Sequence, residues 1–334
     1  MRLLKVLLLV VLALETAGCG TFVAHSIARA PNRYPTWFDA EAPVTLAFNP
    51  KLLTNFPAQF VKVGPPPAKL CYRVIDPADY HFSVTSSNWM EDGEKQYEFH
   101  FHATVPGPTN AWTTAPRGTV MLLHGYGEAQ FSMLPWGLQL GEDGWRCILV
   151  DLRGHGRSTG KRIYFTVLET NDMMQLLDAL QRRGEVAGPV SAMGESYGGV
   201  LGLRWKTVDP RVKTVVAIAP YATLSNAVLN IRSEYAPIVP KFMVKAGIKK
   251  LPRLLDIPAT EFDTITFMEQ HPVKALFIAG GLDKIAPPRE VERVRDLAPP
   301  GSKLVLVPDA THEALTYYFK DLGPPVRSWL EANE

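Results

Sequence analysis

Residues 189–205 read PVSAMGESYGGVLGLRW, an apolar lead-in, a glycine-flanked serine and a helix-compatible tail. Gly194-Glu195-Ser196-Tyr197-Gly198 matches Gly-x-Ser-x-Gly, which between a strand and a helix forms a tight turn lifting the serine hydroxyl clear of the sheet. Few other features limit the fold as strongly, because such a turn needs a buried strand before it and a helix packed close behind it. Ser196 is therefore the candidate nucleophile. The motif alone is common, so its weight depends on what the rest of the chain supplies.

The chain supplies a series of short apolar runs, each followed by a polar or glycine-rich turn. Residues 118–123 (GTVMLL) resemble a central parallel strand covered on both faces and lead into His124-Gly125-Tyr126-Gly127-Glu128. Residues 146–150 form the next, ending in Asp151-Leu152-Arg153-Gly154-His155-Gly156-Arg157-Ser158. That turn lacks the lysine-serine ending of a phosphate loop, so Asp151 and Arg153 are read as satisfying backbone groups within a structured loop. Residues 170–183 carry Met173, Leu176, Leu177 and Leu180 along one helical face. Further strands are expected at 188–193, 212–219, 273–279 and 302–307, with helices at 289–297 and 314–322 and a last turn at 326–330, after Pro324-Pro325.

Each turn of interest follows a strand's carboxyl end, where open α/β sheets gather ligand-contacting groups. Asp283 lies in Gly280-Gly281-Leu282-Asp283-Lys284 and His312 in Pro308-Asp309-Ala310-Thr311-His312-Glu313. The order Ser196, Asp283, His312 is one in which a serine nucleophile, an acid and a histidine base recur on such sheets. His312 would take the serine proton and return it to the leaving group, and ionised Asp283 would hold its tautomer. Asp309 is the competing acid, but Asp283 has its own strand to project from. The Tyr126 and Tyr197 N–H groups are the candidate oxyanion donors, with Gly127 able to substitute for Tyr126. His124 is read as bracing its turn.

Residues 221–270 form a long insertion with short helices expected at 224–231, 239–246 and 251–256, separated by prolines and Gly247. Phe242, Met243, Ile248, Leu251, Leu254 and Leu255 exceed what a solvent loop needs. They could simply pack a subdomain, or form a cap that presents an apolar wall to substrate.

With these residues in view, the chain resembles the α/β-hydrolase superfamily. HGYGE, DLRGHGRSTG and GESYGG together resemble the branch of monoacylglycerol lipases, lysophospholipases and related serine esterases. The resemblance implies an α/β fold with a mostly parallel eight-stranded sheet flanked by helices and a helical cap insertion. It implies hydrolysis of carboxylic esters through an acyl-enzyme, with Ser196, Asp283 and His312 catalytic, Tyr126 and Tyr197 in the oxyanion hole, and no metal or organic cofactor. Serine at the elbow counts against the dehalogenase and epoxide hydrolase activities of the same fold, which use aspartate there. A thioesterase, amidase or aminopeptidase on the same residues, or a non-catalytic lipid-binding lipoprotein, are the alternatives.

The N-terminus has an export layout: Arg2 and Lys5, the apolar run 6–14, then Glu15. Nine apolar residues are too few to span a bilayer, which takes about 20. Thr16-Ala17-Gly18-Cys19 resembles the bacterial lipoprotein signal, with Thr16 where that motif has leucine. Residues 1–18 are thus expected to be a signal peptide, Cys19 to carry lipid, and the protein to associate with the membrane of a bacterial envelope. Gly20 is not the acidic residue that retains many such proteins at an inner membrane, which favours an outer-membrane site. Residues 19–69, ending in Pro65-Pro66-Pro67, are read as a tether that then wraps the core, with residues 70–334 as the hydrolase domain.

A net charge of +2 and no long basic run exclude an electrostatic case for nucleic acid. The apolar fraction of 46% describes a foldable chain. Cys71 and Cys147 are expected to be free thiols. Two strands are expected at 82–86 and 96–105 around a polar turn, with His100 and His102 on an exposed edge and not a metal pair.

Overall fold

The computed structural model describes residues 18, 20–31, 44–47, 49–91, 93–106 and 115–333. The signal reading of residues 1–17 and the acyl site at Cys19 lie outside the described residues.

Among them, the eight-stranded sheet runs in the order β11-β10-β9-β8-β6-β7-β3-β2. Its strands are β2 (Gln59–Val63), β3 (Ala68–Ile75), β6 (Thr119–Leu123), β7 (Arg146–Asp151), β8 (Val190–Glu195), β9 (Val212–Ile218), β10 (Ala275–Gly280) and β11 (Lys303–Val307). β3 alone runs against the rest, pairing antiparallel with both β7 and β2. Strands β6 to β10 are buried almost throughout, as their unbroken Val, Leu, Ile and Ala runs require of a sheet covered on both faces.

Helices cover the two faces. α2 (Leu134–Glu142) and α11 (Phe319–Glu331) pack with one apolar cluster, and α3 (Val167–Arg182), α4 (Tyr197–Val208) and α9 (Pro288–Asp296) with the other. α11 continues across Pro324 and Pro325, where the sequence suggested a restart. Leu322, Val326, Trp329 and Leu330 recur at helical spacing and are buried, and the Trp329 indole donates to Val215 O at 3.1 Å. That burial outweighs the two missing N–H donors.

The proline-rich stretch does more than wrap. It supplies edge strand β2, whose Val61 and Val63 are buried. It also supplies helix α1 (residues 20–27), with Gly20, Ala24 and Ala28 on its buried face. Strand β4 (Ser83–Glu91) is longer than expected, β5 (Glu94–His102) starts and ends earlier than expected, and the two form a separate three-stranded sheet with β1 (Val44–Ala47). β5 is its middle strand, so His100 and His102 do not lie on a sheet edge; His100 sits 3.2 Å from Glu98. The other β5 face buries Tyr97, Phe99 and Phe101 against Tyr317, Tyr318 and Phe319.

Between β9 and β10 the insertion folds into α5 (Leu224–Tyr235), α6 (Lys241–Ile248), α7 (Leu251–Leu255) and α8 (Thr264–Gln270), the helical cap that the sequence suggested. Cys71 and Cys147 are both buried and free.

Candidate active site

The strand-to-helix turn after β8 holds Ser196 at φ 48° and ψ −110°, a strained conformation for a residue with a side chain. Such backbone costs of order 1–3 kcal/mol and persists where the surroundings over-determine it. Here the Ser196 N–H donates to Ile218 O at 2.7 Å, locking the turn to the end of β9. The flanking glycines are required by contact. A Cβ on Gly194 would strike the backbone of Gly198, and one on Gly198 would strike Leu123 O at the end of β6. The helix therefore enters close against two strand ends, and no larger residue fits.

Parallel register brings the other segments to the same edge. Leu123 pairs with Gly194, Glu195 with Ile218, Ile218 with Ile278, and Gly280 with Val307. Asp283 follows β10, and its side chain is fully buried. Its Oδ1 accepts from the Ile285 and Ala286 N–H groups at 2.8 and 2.7 Å, leaving Oδ2 for the His312 Nδ1 at 2.7 Å. His312 opens the short helix α10 (His312–Leu315), and its Nε2 lies 3.0 Å from Ser196 Oγ. Hydroxyl, imidazole and carboxylate thus form one hydrogen-bonded line from three segments up to 116 residues apart. Burial alone would lower the His312 pKa, but the Asp283 carboxylate outweighs it, helped by Glu313 and Glu128, and the net shift is upward.

Asp309 does not compete for the histidine. Its side chain is 77% exposed beside Lys95, 3.7 Å away, and its carbonyl accepts from the Tyr97 hydroxyl at 2.6 Å. The small sheet thereby braces the loop that delivers His312. His124 is buried, its Nδ1–H donating to Gly125 O at 2.7 Å and its Nε2 accepting from the Leu152 N–H at 3.0 Å. Burial lowers its pKa to about 4, so it stays neutral and ties the β6 turn to the β7 turn. Asp151 accepts from Gln130 N, Gln130 Nε2 and Arg157 N at 2.8 to 2.9 Å, and Arg153 forms a buried bidentate pair with Asp172. Both are structural, as their loop suggested.

Tyr126 lies in the turn after β6 and Tyr197 is the first residue of α4, whose opening N–H groups lack intrahelical partners. The Tyr197 ring is buried, and its hydroxyl accepts from the Thr166 N–H at 3.2 Å.

Two carboxyls beside the site carry more weight than the sequence suggested. Glu128 Oε2 accepts from the Gly125 N–H at 3.0 Å and the Ser132 hydroxyl at 2.8 Å, closing the turn that carries Tyr126. Its neighbour Glu195, immediately before the nucleophile, is 3% exposed. Burial pushes both carboxyls up, and Glu128 raises the Glu195 carboxyl further. The only advance signal was a glutamate at the end of a glycine turn, which reads equally as surface.

The chain has the fold of the α/β-hydrolases, with a serine, a histidine and an aspartate in one hydrogen-bonded line at the sheet's edge. Residues 114–272, a little under half of the chain, match the family model described as serine aminopeptidase, S33. The monoacylglycerol lipase of Mycolicibacterium smegmatis is 34% identical over 93 residues, 27% of this chain and 33% of the lipase, so the match spans about a third of that relative's length. Among solved structures, an esterase of Pyrococcus furiosus superposes with a TM-score of 0.59 at 16% identity, covering 87% of this chain and 99% of the esterase. A hydrolase of Pseudomonas aeruginosa superposes with a TM-score of 0.53 at 19% identity, covering 82% and 98% of the two chains. At these identities the structural likeness is one of fold.

Proposed function

We propose that the chain cleaves carboxylic esters through an acyl-enzyme, with Ser196 as nucleophile, His312 as general base and acid, and Asp283 as its orienting anion. The observation that carries this reading is His312 bonded on one side to Asp283 and on the other to Ser196. Ser196 Oγ attacks the ester carbonyl as its proton passes to His312 Nε2, and the imidazolium then protonates the departing alcohol. Water enters, gives its proton to the same nitrogen, and attacks the acyl carbon, and Ser196 leaves with its proton restored. The Tyr126 and Tyr197 N–H groups are assigned to the oxyanion, each worth on the order of 3 kcal/mol.

Apolar esters of the acylglycerol or lysophospholipid kind are the favoured substrates. The partial likeness to a monoacylglycerol lipase and the apolar character of the cap support this. The serine aminopeptidase match favours a second reading, attack on an amide by the same residues.

Turnover of p-nitrophenyl esters of rising chain length, monoglycerides, lysophospholipids and amino-acid amides separates the two, with esters expected to lead. Ser196→Ala should lose both ester turnover and labelling by a fluorophosphonate while melting as the parent does. Labelling that survives the substitution rejects Ser196.

The export reading completes the proposal: a lipid-anchored envelope protein acylated at Cys19. Incorporation of labelled palmitate that disappears in Cys19→Ser is the expected result, and incorporation unchanged by that substitution would refute it.

A further inference from the structure

The cap carries a surface that neither the triad nor the core uses. The Ala236–Pro240 turn between α5 and α6 leaves Ile238 91% exposed, and Phe242, in the first turn of α6, is 59% exposed. This exposure is built in. Arg232 reaches under the turn, donating from Nε to Val239 O at 2.6 Å and from a second nitrogen to Pro237 O, while the Val239 N–H closes on Ala236 O at 2.9 Å. A pinned turn that holds isoleucine outward contributes nothing to a core.

The charge on α6 and just beyond it has one sign. Lys241, Lys245 and Lys249 are exposed at four-residue spacing, so they form a stripe along α6 with Phe242 beside it, and Arg253 is exposed just beyond. From Ile238 to Arg253 the chain has no acidic residue. Lys241 sits at the amino end of α6, where the helix dipole disfavours a cation, and no acidic residue in that turn offsets it.

The surface has a fixed position relative to the catalytic rim and to the N-terminus. The Tyr235 hydroxyl, three residues before Ile238, bonds Glu313 beside His312, and Glu234 pairs with Lys284 beside Asp283 at 2.9 Å. On the other side of α6, helix α1 packs in tightly. A Cβ on Gly20 would lie 3.1 Å from that of Ala246, and Lys250 Nζ donates to Thr21 Oγ1 at 2.7 Å. Gly20, within α1, follows Cys19 in the sequence.

We infer that this face of the cap docks on an anionic lipid bilayer, Ile238 and Phe242 entering the interface and Lys241, Lys245 and Lys249 meeting acidic headgroups. Paired apolar and cationic groups are what an anionic membrane surface recognises. The inference rests on the lipid-ester reading above and adds the route by which such a substrate reaches the rim. The cap meets the bilayer beside the loops that carry Asp283 and His312.

The test uses the full chain carrying Cys19→Ala, so that no acyl group contributes, and sedimentation with vesicles of phosphatidylcholine alone or mixed with phosphatidylglycerol. The parent should favour the mixed vesicles, less so as salt is raised. Lys241→Gln/Lys245→Gln/Lys249→Gln should weaken partition to mixed vesicles on the order of a hundredfold. Ile238→Ser/Phe242→Ser should weaken binding to both compositions. Both variants should retain turnover of a short soluble ester, which reports folding and chemistry separately from docking. Partition unchanged in either variant overturns the inference, as does a patch that holds two copies of the chain together in solution without affecting vesicle binding. A parent that binds vesicles yet turns over no ester leaves docking intact and rejects the ester reading instead.

Discussion

At the scale of single residues, the proposed ester cleavage depends on how His312 is charged. A general base works only as neutral imidazole, so a pKa raised above the ordinary value moves the active limb to higher pH. The kcat/KM for a soluble ester should therefore climb with pH through a midpoint above about 6.5, the usual histidine value. In Asp283→Asn the midpoint should fall, because the carboxylate that stabilises the imidazolium is gone, and kcat should drop by about 10⁴ as the tautomer is lost. A pH–rate profile of the two proteins checks both; an unshifted midpoint would show that Asp283 is not what raises the histidine. The three triad residues were legible in the sequence because each follows its own apolar run. The competition between Asp283 and Asp309 was decided by something local sequence does not record, the Tyr97 hydroxyl that draws the Asp309 backbone toward the small sheet.

At the scale of elements, the turn after β6 is held by two side chains, His124 and Glu128. Glu128 Oε2 satisfies the Gly125 N–H and the Ser132 hydroxyl together, and removing it takes two ties from the turn bearing Tyr126. Glu128→Ala is expected to lower kcat about tenfold with KM nearly unchanged, since small misplacements of a transition-state donor are felt chiefly in the chemical step. Glu128→Gln, which keeps an acceptor oxygen, should recover most of it. A rise in KM without loss of kcat would assign Glu128 to substrate binding instead. The cap helices were legible because prolines and Gly247 punctuate them, whereas strand β2 was not. Its five residues, Gln59–Val63, alternate weakly and are followed by three prolines, which read as an interruption until β3 is placed beside them.

At the scale of the whole molecule, the proline-rich stretch is part of the fold. The Arg73 guanidinium donates to Phe56 O and to Leu53 O, the Gly64 N–H to Gln175 Oε1 at 3.0 Å, and Arg153 to Pro66 O at 2.8 Å. Deleting the chain through Pro66 would take these partners from the Arg73 and Arg153 guanidinium groups and from the Gln175 side-chain oxygen, expose the β3 edge and remove α1 from the cap. The shortened chain is expected to be insoluble or to melt without a cooperative transition, as followed by circular dichroism. A cooperative melt near that of the full chain would return the segment to the role of a tether. What the sequence could not show was this tertiary use of an irregular stretch, because its stabilising contacts are hydrogen bonds to residues up to 229 positions away.

The wide spacing of the three reacting groups also sets an order in time. The ribosome releases the elbow serine long before β11 and the loop behind it exist, so the partly made chain holds Ser196 with no imidazole beside it. Only when the final strand pairs with β10 does the loop behind it bring His312 into line.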